Sequence, residues 1–222
     1  MPRLPQKLIK FGFYLLYNQL AFTYDLIAWL VSFGQWANWR RTGLEYLQPG
    51  PALELAFGTG GLYVDMKRAG LKVVGIDMSA YMARLTQRKL RRNGLPGEIL
   101  RARAQALPFP DASFANAIAT FPTKYIFDPA TLSEVYRVLA CRTDSPACLI
   151  IVMQGDLKDI PWLRAVVEWL YQYTGERDPL TPDPLALLTE AGFEAQWETA
   201  RFKATSAQVI IAKKCASHLD TS

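Results

Sequence analysis

Histidine is almost absent from this chain of 222 residues: His218 stands alone, in a polar tail. Catalysis that rests on an imidazole is therefore set aside. Cysteine is scarce as well. Cys141, Cys148 and Cys215 make an odd number, which argues against a disulfide scaffold. Cys141 and Cys148 have no histidine or further cysteine beside them, so the four close ligands of a zinc site are missing and plain thiols are expected. Neither sign of charge dominates. The 25 Lys and Arg against 20 Asp and Glu leave a formal +5, and half of the residues are hydrophobic, which excludes a disordered chain. Fourteen glycines and fourteen prolines, dispersed, exclude collagen-like and low-complexity classes. Long apolar runs are missing too: the uncharged stretch 11–24 is interrupted by Asn18 and Gln19 and stopped by Asp25. A membrane span needs about 20 apolar residues. No small-residue cleavage site follows, so a cleaved signal is not expected.

What is present is texture. Leu8, Phe11, Leu15, Gln19 and Phe22 fall on helical spacing, and 25–39 repeats the pattern. Eleven aromatic residues lie within the first 47. From residue 51 short β-rich runs alternate with helical ones. Strands are predicted at 52–56, 72–77, 98–102, 114–120 and 148–153, with late strands at 194–201 and 206–213. Helices are predicted at 61–69, from the N-cap Ser79 to about 92 with Asn93-Gly94 closing it, at 129–139, at 162–173, and at 184–191 before Gly192. Such alternation implies an α/β fold with a parallel, doubly wound sheet, and a final antiparallel pair is compatible with it. The expected organisation is a helical cap over residues 1–50, belonging to the same domain as a core at 51–214, and a polar tail at 215–222.

The strongest motif runs from Leu53 through Glu54, Leu55, Ala56, Phe57, Gly58, Thr59 and Gly60 to Gly61, with Asp77 ending the next strand. Glycines let the backbone approach a ligand and expose amide N–H groups at a helix start. An acid at the end of the second strand is placed to accept hydrogen bonds from a ribose diol. The plain alternative is a tight turn, with Asp77 supporting the helix that Ser79 caps. A dinucleotide fingerprint wants a third glycine where Tyr63 stands, and no Gly-Lys-Ser/Thr of a P-loop exists. Glu54 would repel a pyrophosphate but suits a cationic ligand. S-adenosylmethionine (SAM) carries a sulfonium and an ammonium and no phosphate, which points to a methyl donor.

Glu54-Leu-Ala-Phe-Gly-Thr-Gly-Gly, Val74-Gly-Ile-Asp77-Met-Ser, Leu107-Pro-Phe-Pro-Asp-Ala-Ser-Phe114, Glu134-Val-Tyr-Arg-Val-Leu139 and Leu188-Thr-Glu-Ala-Gly-Phe193 resemble, in order and spacing, class I SAM-dependent methyltransferases of the type 11 group. Tyr24-Asp25, Ser32-Phe-Gly34 and Trp39-Arg40 look like the ubiquinone/menaquinone C-methyltransferase family. The resemblance implies a Rossmann-like sheet, mostly parallel with an antiparallel last strand, under an N-terminal helical cap. It implies that Gly58, Thr59 and Gly60 line the methionine end of SAM, beside Ala56 and Phe57, while Glu54 orders the turn from beneath. Asp77 would take the ribose hydroxyls, Met78 would lie against adenine with Ser79 next to it, and Thr120 would reach the cofactor from the fourth strand. The family's Asp after the third strand is Arg103 here, so its adenine contact is lost or passes to Ala104 or Gln105, with Arg103 bordering the pocket. Phe114-Ala115 replaces a Phe-Asp pair, and 141–148 replaces a Lys-Pro-Gly-Gly turn.

Methyl transfer needs a nucleophile in line behind the methyl group, and positioning supplies most of the rate. The segment 120–125, after the fourth strand, should face that methyl. Tyr125 is a candidate catalytic residue, or simply packs under the cap with Phe121; Tyr24, beside Asp25, is a second candidate that could close over the cofactor or sit on a helix face. The segment is not the Asp/Asn/Ser-Pro-Pro-Tyr/Phe motif of enzymes that methylate base amino groups, so nucleic acid is not the expected partner. Residues 84–103 hold seven Arg or Lys and one Glu. A solvated helix face explains them, and contact with an anionic membrane surface is the alternative. The expected function is methyl transfer from SAM to a carbon or oxygen of a small, lipophilic, quinol-like or phenolic acceptor, without a metal, in the cytoplasm or at the membrane periphery. A non-catalytic SAM-binding protein and an NAD-linked enzyme are the rival readings, and the oligomeric state is left open.

Overall fold

The structure is a computed structural model that describes residues 32, 34–141, 145–156, 183–202 and 205–214. The helical stretch expected at 162–173, Tyr24, Asp25, Cys215 and His218 lie outside them. The described elements are helix α1 (Trp36–Arg41), a 3₁₀ turn (Thr42–Tyr46), β1 (Ala52–Leu55), α2 (Gly61–Arg68), β2 (Val73–Asp77), α3 (Ala80–Arg92), β3 (Glu98–Arg101) and β4 (Asn116–Thr120). A second 3₁₀ turn (Lys124–Phe127) follows, then α4 (Pro129–Val138), β5 (Ala147–Asp156), α5 (Pro184–Glu190), β6 (Glu194–Arg201) and β7 (Ser206–Lys214).

Seven strands form one sheet in the order β3-β2-β1-β4-β5-β7-β6. The pairs from β3 to β5 are parallel, and β7 runs antiparallel to both β5 and β6. The chain moves outward from β1 through β2 to β3 and then crosses to β4. That reversal leaves a crevice beyond the carboxyl ends of β1 and β4, where ligands bind in open α/β sheets. Cys148, Leu149, Ile150, Ile151 and Val152 are fully buried, as a central strand covered on both faces requires.

Two strand boundaries differ from expectation for local reasons. β4 begins at Asn116, because the amides of Ala115 and Asn116 both donate to Pro51 O, and Phe114 pairs with Leu139 instead of β1. β5 runs past Met153 to Asp156, because β7 keeps pairing with it after β4 has ended, across a bulge between Val152 and Gln154.

The caps follow local chemistry. Ser79 Oγ accepts from the Met82 amide, and Asp128 and Asp183 cap α4 and α5, each followed by proline at the first helical position. The basic residues of α3 gather at its carboxyl end, where the helix dipole favours cations. Further up the same helix, the Arg84 guanidinium lies 5.1 Å from the Tyr81 ring centroid.

Helix α1 is locked to the sheet by Trp39. Its ring covers Gly155, where a Cβ would stand only 2.0 Å away, and its Nε1 donates to Thr205 Oγ1 at 3.2 Å. On the opposite flank the buried Asn116 side chain clasps Gln48, accepting from its amide and donating to its carbonyl, both at 2.8 Å. The first contact seats α1 at the carboxyl end of β5, and the second ties the chain ahead of β1 to the amino end of β4.

Tyr63 explains why a dinucleotide fingerprint fails here. Its ring is buried between α2 and β2, in space left by Gly75, whose Cβ would meet Tyr63 at 3.0 Å. The hydroxyl lies 3.0 Å from both Val73 O and Glu98 O and accepts from the Glu98 amide at 2.8 Å, joining β2 to β3. Burial pushes its pKa up to about 12, so it stays a phenol. Tyr63→Phe keeps the ring and strips the joint, and is expected to lower unfolding free energy by about 1–2 kcal/mol in urea titrations. An unchanged midpoint would mean the joint is idle.

Candidate functional site

Between the carboxyl ends of β1, β2 and β4 lies a cavity of about 390 Å³. Its floor is the turn after β1. Ala56, Gly58 and Gly60 all take left-handed backbone conformations, with φ of 53°, 54° and 72°. This coils the chain so that the Phe57 amide donates to Ile76 O and the Gly60 amide to Phe57 O. Gly58 and Thr59 line the cavity, whereas Gly60 faces α3: a Cβ there would stand 2.4 Å from Thr86 Cγ2.

Asp77 pins this turn. Its Oδ2 accepts from the Gly58 amide at 2.9 Å and its Oδ1 from the Ser79 amide at 2.7 Å. Burial raises its pKa, and those two hydrogen bonds oppose the rise. Each carboxylate oxygen keeps an acceptor site for a further donor. Glu54, one strand over, is 2% exposed, and its Oε2 has no hydrogen-bond partner among the described residues. Burial holds its pKa well above the usual glutamate range, against the pull of the Arg40 guanidinium; Asp77 and Asp65 add to the rise.

The roof comes from α1 and the chain after β4. Phe121 has φ 49°, a left-handed conformation that a bulky residue adopts only under constraint. Its amide is held by Val152 O at 2.7 Å, and its ring meets that of Trp36 with centroids 4.0 Å apart. Such outliers cluster at ligand sites. Arg40, from the same helix as Trp36, lines the cavity and pairs with Asp65 at 3.0 Å.

The expected site residues divide. Glu54, Ala56, Phe57, Gly58, Thr59, Asp77, Met78, Ser79, Thr120 and Tyr125 all line the cavity. Gly60, Ala104, Gln105 and Arg103 are not among its lining. The reason lies in the tight loop after β3: Ala106 N donates to Arg103 O, and the Gln105 side chain is carried onto the α4 cap, where Nε2 meets Asp128 Oδ2 at 3.2 Å. Arg103 itself is exposed. As a proton acceptor Tyr125 is a poor candidate. Its hydroxyl points at Leu55 O, 3.5 Å away, and burial together with the charges of Asp77 and Glu54 drives its pKa upward. It donates.

Arg40 and Met82 also line the cavity and were not expected there. The Trp39-Arg40 pair was visible as a family segment, but nothing in the sequence brings that arginine to Glu54.

Comparison with known proteins decides the family. A methyltransferase-domain profile matches residues 52–142. The demethylmenaquinone methyltransferase of Thermus thermophilus is 31% identical over 214 residues, 84% of this chain and 95% of that protein. The chain belongs to the demethylmenaquinone and ubiquinone/menaquinone methyltransferase family. Another relative, the ubiquinone/menaquinone biosynthesis C-methyltransferase of Pectobacterium atrosepticum, is 34% identical over 209 residues, 81% of each chain. Among solved structures, a SAM-dependent methyltransferase of Methanosarcina mazei matches with TM-score 0.56 at 25% identity, over 78% of this chain and 97% of that one. As a member of this family the chain is a SAM-dependent methyltransferase, which sets aside the NAD-linked and non-catalytic readings. Among the described residues no helix is long and apolar enough to cross a membrane.

Proposed function

We propose that the cavity holds SAM and that the methyl acceptor is a small, lipophilic ring of the phenol or quinol class, methylated on carbon or oxygen. The observation that carries this reading is the split character of the cavity: carboxylates at the β1–β2 side, and Trp36, Phe121, Pro122 and Tyr125 at the β4 side. The relatives named for demethylmenaquinone and ubiquinone/menaquinone support the acceptor class.

In this reading the Gly58–Thr59 turn and Glu54 receive the methionine end, Asp77 receives the ribose hydroxyls, and exposed Met78 lies against adenine. Bound there, SAM supplies an electrophilic methyl group on a sulfonium. Phe121 and Trp36 pack a flat acceptor and keep water from it. Tyr125 supplies a neutral hydrogen-bond donor where β1 ends. Among the described residues lining the cavity, the two carboxylates lie on the cofactor side and Tyr125 keeps its proton. An acceptor whose own hydroxyl ionises, feeding electron density into a ring, therefore fits better than an amine that needs a base. Tyr24, which lies outside the described residues, is kept as a proposed catalytic residue that closes over the cofactor.

Asp77→Ala removes the ribose partner, and should weaken SAM by about 1.5–3 kcal/mol in isothermal titration, the worth of hydrogen bonds to a charged group. An unchanged affinity would put the ribose elsewhere. Labelled-methyl transfer to reduced naphthoquinols, simple phenols and amines tests the acceptor; label appearing on amines alone would overturn the phenol–quinol class.

A further inference from the structure

A basic surface runs along one edge of the sheet. Arg84, Arg88, Arg91 and Arg92 are exposed and, at the pitch of an α-helix, fall within about 100° of the circumference of α3. Leu85 of α3 and Ile99 of β3 pack on the same buried pair, Phe57 and Met82, so the helix lies alongside the edge strand. Its basic face continues there to Arg101 and Arg103, both exposed. None of these six arginines makes an ion pair among the described residues, and Glu98 is the only acid between residues 78 and 103. Apolar side chains stand among them. Met78 is 56% exposed and Leu100 39%, two of the three large hydrophobic residues exposed among those described. Arg101 Nε donates to Met78 O at 2.9 Å, which ties the β3 cations to the end of β2.

Cations that lack acidic partners, interleaved with exposed apolar side chains, match a surface that is both anionic and apolar. Clusters of about four to eight Lys or Arg on an amphipathic helix recognise anionic lipid in this way. We propose that the α3–β3 edge docks on an anionic lipid bilayer, with the arginines against headgroup phosphates and Met78 and Leu100 at the boundary of the acyl region. A nucleic acid fits this surface less well, because it wants a groove with free aromatic faces for the bases. Tyr81 is the only aromatic residue between 78 and 103, and its ring already carries the Arg84 guanidinium. Met78 also lines the cavity, so the docked edge lies beside the site. The use of docking, which is to hold the enzyme where a lipophilic acceptor partitions, rests on the acceptor class proposed above; the docking itself does not.

The test is co-sedimentation of the full chain with vesicles of phosphatidylglycerol and phosphatidylcholine, and with vesicles of phosphatidylcholine alone. Binding is read without SAM or acceptor, so its failure is told apart from failure of the proposed function. Wild type should bind the anionic vesicles at about 0.1 M salt, release them at about 1 M, and leave the zwitterionic ones unbound. Each arginine at such a surface is worth about fivefold, so the double variant Arg88→Gln/Arg92→Gln should need about 25-fold more lipid for half-saturation. Arg88→Lys/Arg92→Lys keeps the charge and should bind within about threefold of wild type. Arg201→Gln/Lys213→Gln removes two charges at the opposite edge of the sheet, on β6 and β7, and should change binding less than about twofold. Equal weakening by the two Gln doubles would make the attraction a property of net charge and overturn the assignment. So would equal binding to both kinds of vesicle, insensitivity to salt, or no binding at all. Tighter binding of a single-stranded RNA oligonucleotide, lost in Arg88→Gln/Arg92→Gln, would hand the surface to nucleic acid instead. Thermal midpoints and SAM titrations of the variants separate loss of docking from loss of fold.

Discussion

Glu54→Gln is expected to weaken SAM roughly 100-fold and to remove most of the pH dependence of its binding. The size follows from breaking a buried ion pair, worth about 3 kcal/mol when one partner is neutralised. The pH dependence follows from burial. In the free protein, desolvation raises the Glu54 pKa well above the usual range, Arg40 lowers it, and Asp77 and Asp65 raise it; the Tyr63 and Tyr125 hydroxyls facing the same region are neutral. An ammonium placed against the carboxyl favours the anion, so binding drives a proton off Glu54. Affinity should therefore rise with pH from the ordinary glutamate range up through the raised value, then level off. Titration in two buffers of different ionisation enthalpy should detect the released proton in wild type and none in the variant. Proton uptake on binding would contradict this account.

The same group fixes a stability trend. Between the unfolded and folded pKa values the folded state holds the proton and the unfolded state has lost it, so ν_U is below ν_N and unfolding free energy falls as pH rises. This loss begins above the ordinary glutamate value and ends above the raised one. Glu54→Gln has no such proton, so wild type should lose stability relative to it across that window. The native acid is thus retained at a cost in the free protein, as expected where function needs a buried charge.

Much of this site was legible because its signals are local. The glycine turn, the acid before it and the acid ending the next strand are all fixed by strand–turn–helix spacing, and the Ser79 cap is a four-residue pattern. What was not legible depends on where distant segments land. The family resemblance passes the adenine contact of its missing Asp to Ala104 or Gln105, yet the Arg103–Ala106 turn sends the Gln105 side chain to Asp128. Tyr125 reads as a possible base until Leu55 O and two buried acids surround it. Arg40 is visible in the sequence only as half of the Trp39-Arg40 family segment; it is Trp39, seated on Gly155, that places the helix so that the guanidinium lies over Gly61. Periodicity carries no such information, since it marks which face is buried and not what that face meets.

Gly60 gives the largest expected effect on folding. Its φ of 72° disfavours any side chain, at about 1–2 kcal/mol. A Cβ would also collide with Thr86, at 2.4 Å from Cγ2, 2.6 Å from Oγ1 and 2.9 Å from Cβ. Thr86 cannot simply rotate away, because it is fully buried and its hydroxyl donates to Gly58 O at 3.0 Å. Overpacking of this kind adds about 1–3 kcal/mol, so Gly60→Ala should lose about 2–5 kcal/mol in denaturant titrations. Gly70 separates the two contributions. Its φ is 76°, but a Cβ there meets nothing within 4 Å, so Gly70→Ala should show the backbone cost alone. Adding Thr86→Ser to Gly60→Ala removes the nearest clashing atom and keeps the hydroxyl, and should recover part of the difference between the two glycine variants. SAM affinity should follow the same order, since Gly58 N–H and the Asp77 carboxylate are held in register by this turn. If Gly60→Ala proves no worse than Gly70→Ala, α3 moves to make room, and the glycine is kept for backbone conformation alone.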